Sequence, residues 1–323
     1  MNSPPRPAVS IVVPTFNRAA LLAETIASAL AQTLADFELI VVDDDSIDDT
    51  RGAVQGFADG RIRYLPMRHC GNLSILRNAG IKQSRGRFLA FLDSDDLWRE
   101  DKLSAQVRFL SSHAEAGFVF SGCEVFSAAG VQQTKLYGGD GAASSQRSVF
   151  DDLIRGKLVI YSSTVLVRRE LLDRAGLLNE QLRTGDYELL TRLAWSSMAG
   201  ILHAPLVKVR KHPGNTSERL NAEGLEEAIF SIRRFFSLGA IGREARDERL
   251  LKYQVDLANV LCSRGDLAGA RRAILDCIRL RPTELDYWRR YGSLWRRSRA
   301  GSGLGAAGYP SRRTPARPSK PVS

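Results

Sequence analysis

"RFLAFLDSDD", Arg87–Asp96, is an apolar run that ends in three carboxylates within four residues. The run, from Arg87 to Leu92, has the length and composition of a buried strand. Like charges this close repel one another. Either something positive stands opposite them, or the cluster is a solvated turn.

The neighbouring sequence repeats the pattern. "VSIVVP", from Val9, is a short run rich in β-branched residues, followed by a helical stretch from Ala19 to Ala31. "FELIVVD" comes next, then a weaker helix over about Asp48–Phe57. "IRYLP" is a third run, followed by a helix over Leu73–Gln83 with Asn72 as its cap. Such βαβα alternation predicts a parallel sheet covered by helices. In open sheets of this kind ligands bind beyond the carboxyl ends of the strands. Three of those ends are polar here: Pro14-Thr15-Phe16-Asn17-Arg18, Asp43-Asp44-Asp45 and Asp93-Ser94-Asp95-Asp96. A single cluster reads equally well as solvated, but three at one edge favour a ligand site.

The remainder divides by texture. "VIYSSTVLVRRELL" reads as a strand running into a helix. "GDYELLTRLAW" reads as a helix with Leu189, Leu190 and Leu193 on its apolar face. "PLVKVRKHPGNTS" reads as a strand ending in a Pro-Gly turn. From about Asn221 to Arg297 the pattern is helical. Within it, Asp256–Pro282 resembles one tetratricopeptide repeat, although one repeat cannot form a solenoid.

Charge and cysteines narrow the classes. The 323 residues are 44% hydrophobic and 25% charged, as for a globular protein, with a formal charge of +10. Seven Lys/Arg and no acid lie from Arg296 onward, which leaves +3 for residues 1–295. The tail reads as disordered and cationic. Nucleic acid, an anionic membrane or no partner at all would each suit it. Cys70, Cys123, Cys262 and Cys277 show no metal-ligand spacing and read as reduced thiols. The N-terminus has no export signal and no stretch is long enough to span a bilayer, so a cytoplasmic location is expected. Gly303, Gly305 and Gly308 match a dinucleotide fingerprint but follow no strand and open no helix.

The carboxylates suit a hard divalent cation such as Mg²⁺ or Mn²⁺, which takes oxygen ligands from side chains and phosphates. Asp93 and Asp95 share a side if the segment stays extended. A metal-bridged diphosphate is one reading. Another is a metal-dependent phosphotransferase, since Asp43-x-Asp45 superficially resembles the aspartyl-phosphate loop of haloacid-dehalogenase phosphatases. A non-catalytic partner-binding protein using the C-terminal helices is a third.

The ordered set "VSIVVPTFNRAALLAETIASALAQTLADFELIVVDDDSIDDT", "GNLSILRNAGIKQSRGRFLAFLDSDDLW" and "GDYELLTRL" closely resembles the family 2 inverting glycosyltransferases of the GT-A fold, over about residues 8–217. The resemblance implies an α/β architecture with a Rossmann-like, mostly parallel sheet flanked by helices. It implies a nucleotide-diphosphate-sugar donor, usually of uridine, a divalent metal and a glycan or lipid-linked acceptor, with no nucleic acid.

Residue by residue, the resemblance places Pro14, Thr15, Phe16 and Asn17 on the base and ribose, with Arg18 at the edge. Asp44 accepts from the base imide. Arg77 and Asn78 lie near the diphosphate or ribose, Asp93 on the ribose side, Asp95 on the metal, and Asp186 is the catalytic base. Glu188 is a second acid for that role. His212 either closes over the diphosphate or is a turn residue, and Trp98 either stacks on sugar or anchors the next helix.

The family commonly reads Asp-Asp-Gly-Ser where this chain has Asp44-Asp45-Ser46, and Glu-Asp where it has Gly185-Asp186. The expected organisation is a catalytic domain over 8–217, with a nucleotide-sugar half (8–126) and an acceptor half (127–217). A helical extension over 218–297 and a basic tail over 298–323 follow, the tail in contact with the membrane's inner face.

Overall fold

The computed structural model describes residues 6–137, 143–212, 215 and 221–299. Its first half follows the expected alternation. Strands β1 (Val9–Thr15), β2 (Phe37–Asp43), β3 (Ile62–Pro66) and β4 (Phe88–Phe91) lie in the order β3-β2-β1-β4, all parallel. Helices α1 (Ala19–Leu30), α2 (Thr50–Gln55) and α3 (Leu73–Gln83) connect them. Every residue of β1, β2 and β4 is buried. That explains why the strands read as continuous apolar runs rather than alternating ones. At the start of α3 the Asn72 Oδ1 accepts the Ile75 N–H at 3.2 Å, as the sequence suggests.

α3 can lie close to the sheet because it carries Gly80. A β-carbon there would stand 2.4 Å from Val12 Cγ1 and 3.2 Å from Val42 Cγ2, both on fully buried residues. Alanine favours helices over glycine by about 1 kcal/mol. Overpacking a core costs about 1–3 kcal/mol, and a contact this short lies at the upper end. Gly80→Ala is therefore expected to lower stability by at least about 1 kcal/mol in a urea unfolding midpoint.

Beyond β4 the sheet becomes mixed. The chain continues through β5 (Leu97–Trp98), α4 (Lys102–Ser112), β6 (Ala116–Ser127), β7 (Gly130–Lys135), β8 (Ser144–Arg147), α5 (Phe150–Ile154), β9 (Val165–Arg168), α6 (Arg169–Ala175), α7 (Asp186–Ser196) and β10 (Met198–Arg210). β9 sits between β4 and β6, antiparallel to both. β10 runs parallel to β6 and carries β5 and β8 antiparallel to itself. The hairpin strand β7 pairs with β6. Leu189, Leu190 and Leu193 of α7 are buried, as its periodicity predicts.

Four more helices follow among the described residues: α8 (Asn221–Ser237), α9 (Arg243–Ser263), α10 (Leu267–Leu280) and α11 (Leu285–Arg299). The chain divides into two compact units at Tyr253/Gln254, inside α9 rather than at residue 217. In the first unit, α8 packs on α7. In the second, the end of α9 turns into α10 through Gly265, whose φ is +83°. Among the described residues no helix is long and apolar enough to cross a membrane. Pro213 and Gly214 lie outside the described residues, as does the basic tail from residue 300. Its first two expected residues, 298 and 299, finish α11.

Candidate active site

The parallel register brings the polar strand ends together. Thr15 pairs with Asp43 across β1 and β2, and Val12 pairs with Phe91 across β1 and β4. The turn after β2 is braced against the turn after β1. The Ser46 hydroxyl donates to Asp43 Oδ1 at 2.5 Å and accepts the Asn17 N–H at 2.8 Å, while Asn17 Oδ1 accepts the Ile47 N–H at 2.8 Å. Asp45 takes a left-handed φ of +64°. Aspartate tolerates that region better than most residues, so this turn forms without glycine. Asp43 is buried, and its carboxylate is held by Ser46 and the Tyr64 hydroxyl. It is therefore no free nucleophile, and the aspartyl-phosphate reading fails.

Asp44 organises a loop. Its Oδ1 accepts the Cys70 N–H at 2.7 Å and its Oδ2 accepts the Gly71 N–H at 2.9 Å, with His69 Nδ1 3.0 Å away. The His69 ring stacks on Phe16 with centroids 4.6 Å apart. Phe16 is exposed, so an aromatic pair faces outward at the carboxyl edge of the parallel strands. Pro14 and Thr15, which precede Phe16, are buried at the strand end, and Thr15 Oγ1 has no hydrogen-bond partner among the described residues.

The three carboxylates of the opening stretch diverge. Asp96 is buried; its Oδ2 accepts from the Ser163 hydroxyl at 2.6 Å and its Oδ1 from the Arg210 N–H at 3.0 Å. Burial, with Asp93 and Asp95 nearby, pushes its carboxyl well above the usual range. Asp95 Oδ2 accepts from Arg18 Nη1 at 2.8 Å and Asn215 Nδ2 at 3.4 Å, and lies 3.0 Å from His212 Nε2. Asp93 accepts from Arg77 Nη2 at 2.7 Å and from the Ser162 hydroxyl at 3.2 Å. The chain's own cations, Arg18 and Arg77, thus stand opposite the acids.

Arg77 links the two halves of the site. It is 1% exposed, bridges Asp93 and Asp186, and donates to the Thr184 carbonyl at 3.2 Å. Asp186 opens α7, where helix N-terminal N–H groups favour an anion. A third of its side chain, 32%, reaches solvent. Its carboxyl is pushed up to about 7: burial raises it, Arg77 pulls it down, and Asp93 and Glu227 push it up again.

The turn that delivers Asp186 is set by Glu227 of α8, which accepts from the Thr184 N–H at 2.8 Å, the Gly185 N–H at 3.1 Å and the Thr184 hydroxyl at 2.5 Å. Gly185 has φ +62°, and a β-carbon there would stand 2.4 Å from Ser74 Oγ. A glutamate at this position would crowd Ser74 and hold a strained left-handed backbone.

Other expected site residues lie elsewhere. Asn78 is buried and spends its amide on Leu178 (2.9 and 3.0 Å) and Glu180 (2.9 Å). Glu188 is fully buried and paired with Arg192 at 2.7 Å and Arg234 at 3.3 Å, so it braces α7 and cannot meet a substrate. Trp98 is buried with its Nε1 donating to the Ser163 carbonyl at 2.9 Å, the anchoring role rather than the stacking one. His69 and Glu227 have no local motif to announce them.

A divalent ion fits this site on one condition. Among the described residues no group of three or more His, Cys, Asp or Glu side chains could hold a metal. Asp95 Oδ2 and His212 Nε2, 3.0 Å apart, offer two ligand atoms. That suits an ion completing its shell with phosphate oxygens and water, as Mg²⁺ commonly does.

Comparison with known proteins follows the same lines. The family model "Glycosyl transferase family 2" matches residues 10–174. The Escherichia coli UDP-Glc:alpha-D-GlcNAc-diphosphoundecaprenol beta-1,3-glucosyltransferase WfgD is 39% identical over 119 residues, 37% of this chain and 47% of that protein. The Bacillus subtilis putative teichuronic acid biosynthesis glycosyltransferase TuaG is 31% identical, over 51% of this chain and 64% of its own. The chain thus spans about half to two thirds of these relatives' length.

Among solved structures, S. aureus TarS 1-349 in complex with UDP-GlcNAc superposes with a TM-score of 0.63 at 19% identity, over 90% of this chain and 92% of that one. The mannosyltransferase PcManGT from Pyrobaculum calidifontis, in complex with GDP-Man and Mn2+, gives 0.57 at 18% identity, over 91% and 80%. At such identities the likeness concerns the fold.

Proposed function

Because the chain belongs to glycosyl transferase family 2, we propose that it moves a sugar, with inversion, from a nucleotide-diphosphate donor to a hydroxyl of an acceptor glycan or lipid-linked saccharide. The observation that carries this reading is the placement of Asp186: a partly exposed carboxylate at the start of α7, tied through Arg77 to Asp93 at the strand edge, with burial pushing its carboxyl up toward neutral pH. Inversion is a single displacement at the anomeric carbon, and it needs one base for the acceptor hydroxyl. A carboxyl poised near neutral pH suits that task.

Each side chain has a part. The Phe16–His69 pair provides a stacking face for the base, and the orphan Thr15 hydroxyl at the same strand end is a polar group for the donor to satisfy. Asp44 acts mainly by fixing that loop, since both its oxygens already accept backbone N–H groups. Asn17 braces the turns on either side. Asp93, a third exposed, faces the ribose and sugar. Arg18, resting on Asp95, is a cation for the diphosphate. Asp95 and His212 would hold the Mn²⁺ or Mg²⁺ ion, which when bound supplies positive charge against the developing charge of the leaving diphosphate.

Residues 8–126 then form the donor half, and residues 127–217 contribute the base and the acceptor side. Uridine as the nucleotide rests on the names of WfgD and of the TarS complex, and a lipid-linked acceptor on the name of WfgD.

Thermal shift with UDP-glucose, UDP-GlcNAc and GDP-mannose, each with Mn²⁺ or with chelator, tests the donor. A ligand at 100 times its dissociation constant adds about 2.7 kcal/mol of stability. A uridine donor with Mn²⁺ is expected to raise the melting temperature, and Asp95→Asn to lose the metal-dependent part while keeping the fold. Equal stabilisation with and without chelator in the wild type would remove the metal from the scheme.

A further inference from the structure

Helix α11 presents an unusual outer face. Leu285 is 64% exposed, Trp288 48% and Trp295 41%. At about 100° per residue these three and Gly292 fall within roughly 80° of one another. Arg289 and Arg296, both exposed, continue the same face along one edge. The opposite side carries the buried Leu294. The helix holds five arginines and one acid, and that acid, Asp286, is paired with Arg290 at 3.0 Å. The exposed face therefore combines two indoles and a leucine with the exposed arginines Arg289 and Arg296.

We propose that α11 lies in the headgroup layer of an anionic bilayer, with Leu285, Trp288 and Trp295 inserted at the acyl boundary and Arg289 and Arg296 on lipid phosphates. Charge complementarity selects this occupant: an apolar stripe edged by arginines fits an anionic surface with a hydrocarbon layer beneath. Tryptophan favours that boundary, where its ring is buried and its N–H stays near water. Long arginine side chains reach up to the phosphates while their stems stay in the apolar layer. A 15-residue helix is about 22 Å long and lies flat in the interface rather than crossing it. Chemistry of this kind would hold the protein where a lipid-linked acceptor lies, but it does not depend on the transfer reaction.

The full-length protein, without donor, is titrated with vesicles of phosphatidylglycerol and phosphatidylethanolamine, and with phosphatidylcholine vesicles, at low and raised salt. Binding to the anionic vesicles that weakens with salt is expected. Trp288→Ser/Trp295→Ser should weaken it by about tenfold or more. Arg289→Gln/Arg296→Gln should weaken it by about thirtyfold, since each basic residue near an anionic leaflet contributes about a fivefold share. Truncation after Arg299 should leave the tryptophan dependence in place. Circular dichroism checks that the surface variants stay folded, and quenching of wild-type tryptophan fluorescence by brominated lipid reads insertion directly. Full binding by the tryptophan variant, or binding that vanishes on truncation and ignores the tryptophans, overturns the proposal. So do tryptophan variants that dissociate a dimer or lose RNA affinity while binding vesicles as the wild type does.

Discussion

Asp186→Asn is expected to slow sugar transfer by about 10²–10⁴, the usual contribution of a general base, with donor affinity unchanged. The amide keeps the size of the carboxylate and its place at the start of α7, but it cannot take a proton. In the proposed role only ionised Asp186 can act as base, so the wild-type rate should climb as pH rises through about 7. In Asp186→Asn that ascending limb should be gone. The same group leaves a mark on stability. An unfolded aspartate releases its proton near 3.8, whereas the folded one holds it to about 7. Between those values the native state binds more protons, so stability falls as pH rises. Asp186→Asn should flatten that fall in denaturation midpoints measured across the window. Full transfer activity in Asp186→Asn would assign the base elsewhere.

Arg77→Met is expected to cost about 3–5 kcal/mol, the range found when one partner of a buried ion pair is removed. The loss is large because one guanidinium serves two carboxylates, Asp93 and Asp186, at 1% exposure. Without it the two acids face each other with no cation between them. Removing the chief influence that lowers the Asp186 pKa also moves the rate's ascending limb to higher pH. Arg77→Lys should recover charge but not the bridge, because an ammonium lacks the planar fork that reaches two acceptors. Urea unfolding gives the first number and a pH–rate profile the second. A stability loss under about 1 kcal/mol, well below that range, would mean the pair relaxes into water.

The first half of the fold was legible because its strands are covered on both faces and read as plain apolar runs. The placement of β9 was not. A four-residue strand inserted antiparallel between β4 and β6 depends on pairings about 45–80 residues away in sequence, which no local pattern encodes. Site residues failed where a helix turned them away. Asn78 follows Arg77 by one residue, about 100° around α3, and Glu188 follows Asp186 by two, about 200° around α7. If one member of each pair faces the cleft, the other cannot. His69 and Glu227 act from a loop and from a helix that follows the motif-bearing segments, so the motifs could not reveal them. Asp44, Asp93, Asp95 and Arg77 stood out because they end strands or face one.

The sheet order also governs how the chain can assemble on the ribosome. The parallel set β3-β2-β1-β4 is complete once residue 91 has emerged. β6 is finished at residue 127, but β9 ends at 168 and β10 at 210. Its other neighbour, the hairpin strand β7, covers only Cys123–Ser127. The half Ala116–Ser121 pairs with Met198–Leu202 of β10, so it waits up to 81 further residues for its second neighbour, roughly 4–16 s at about 5–20 residues per second. For that interval the nascent chain carries an uncapped β-edge of the kind chaperones shield, so the rate of translation between residues 121 and 202 is expected to bear on the yield of folded protein.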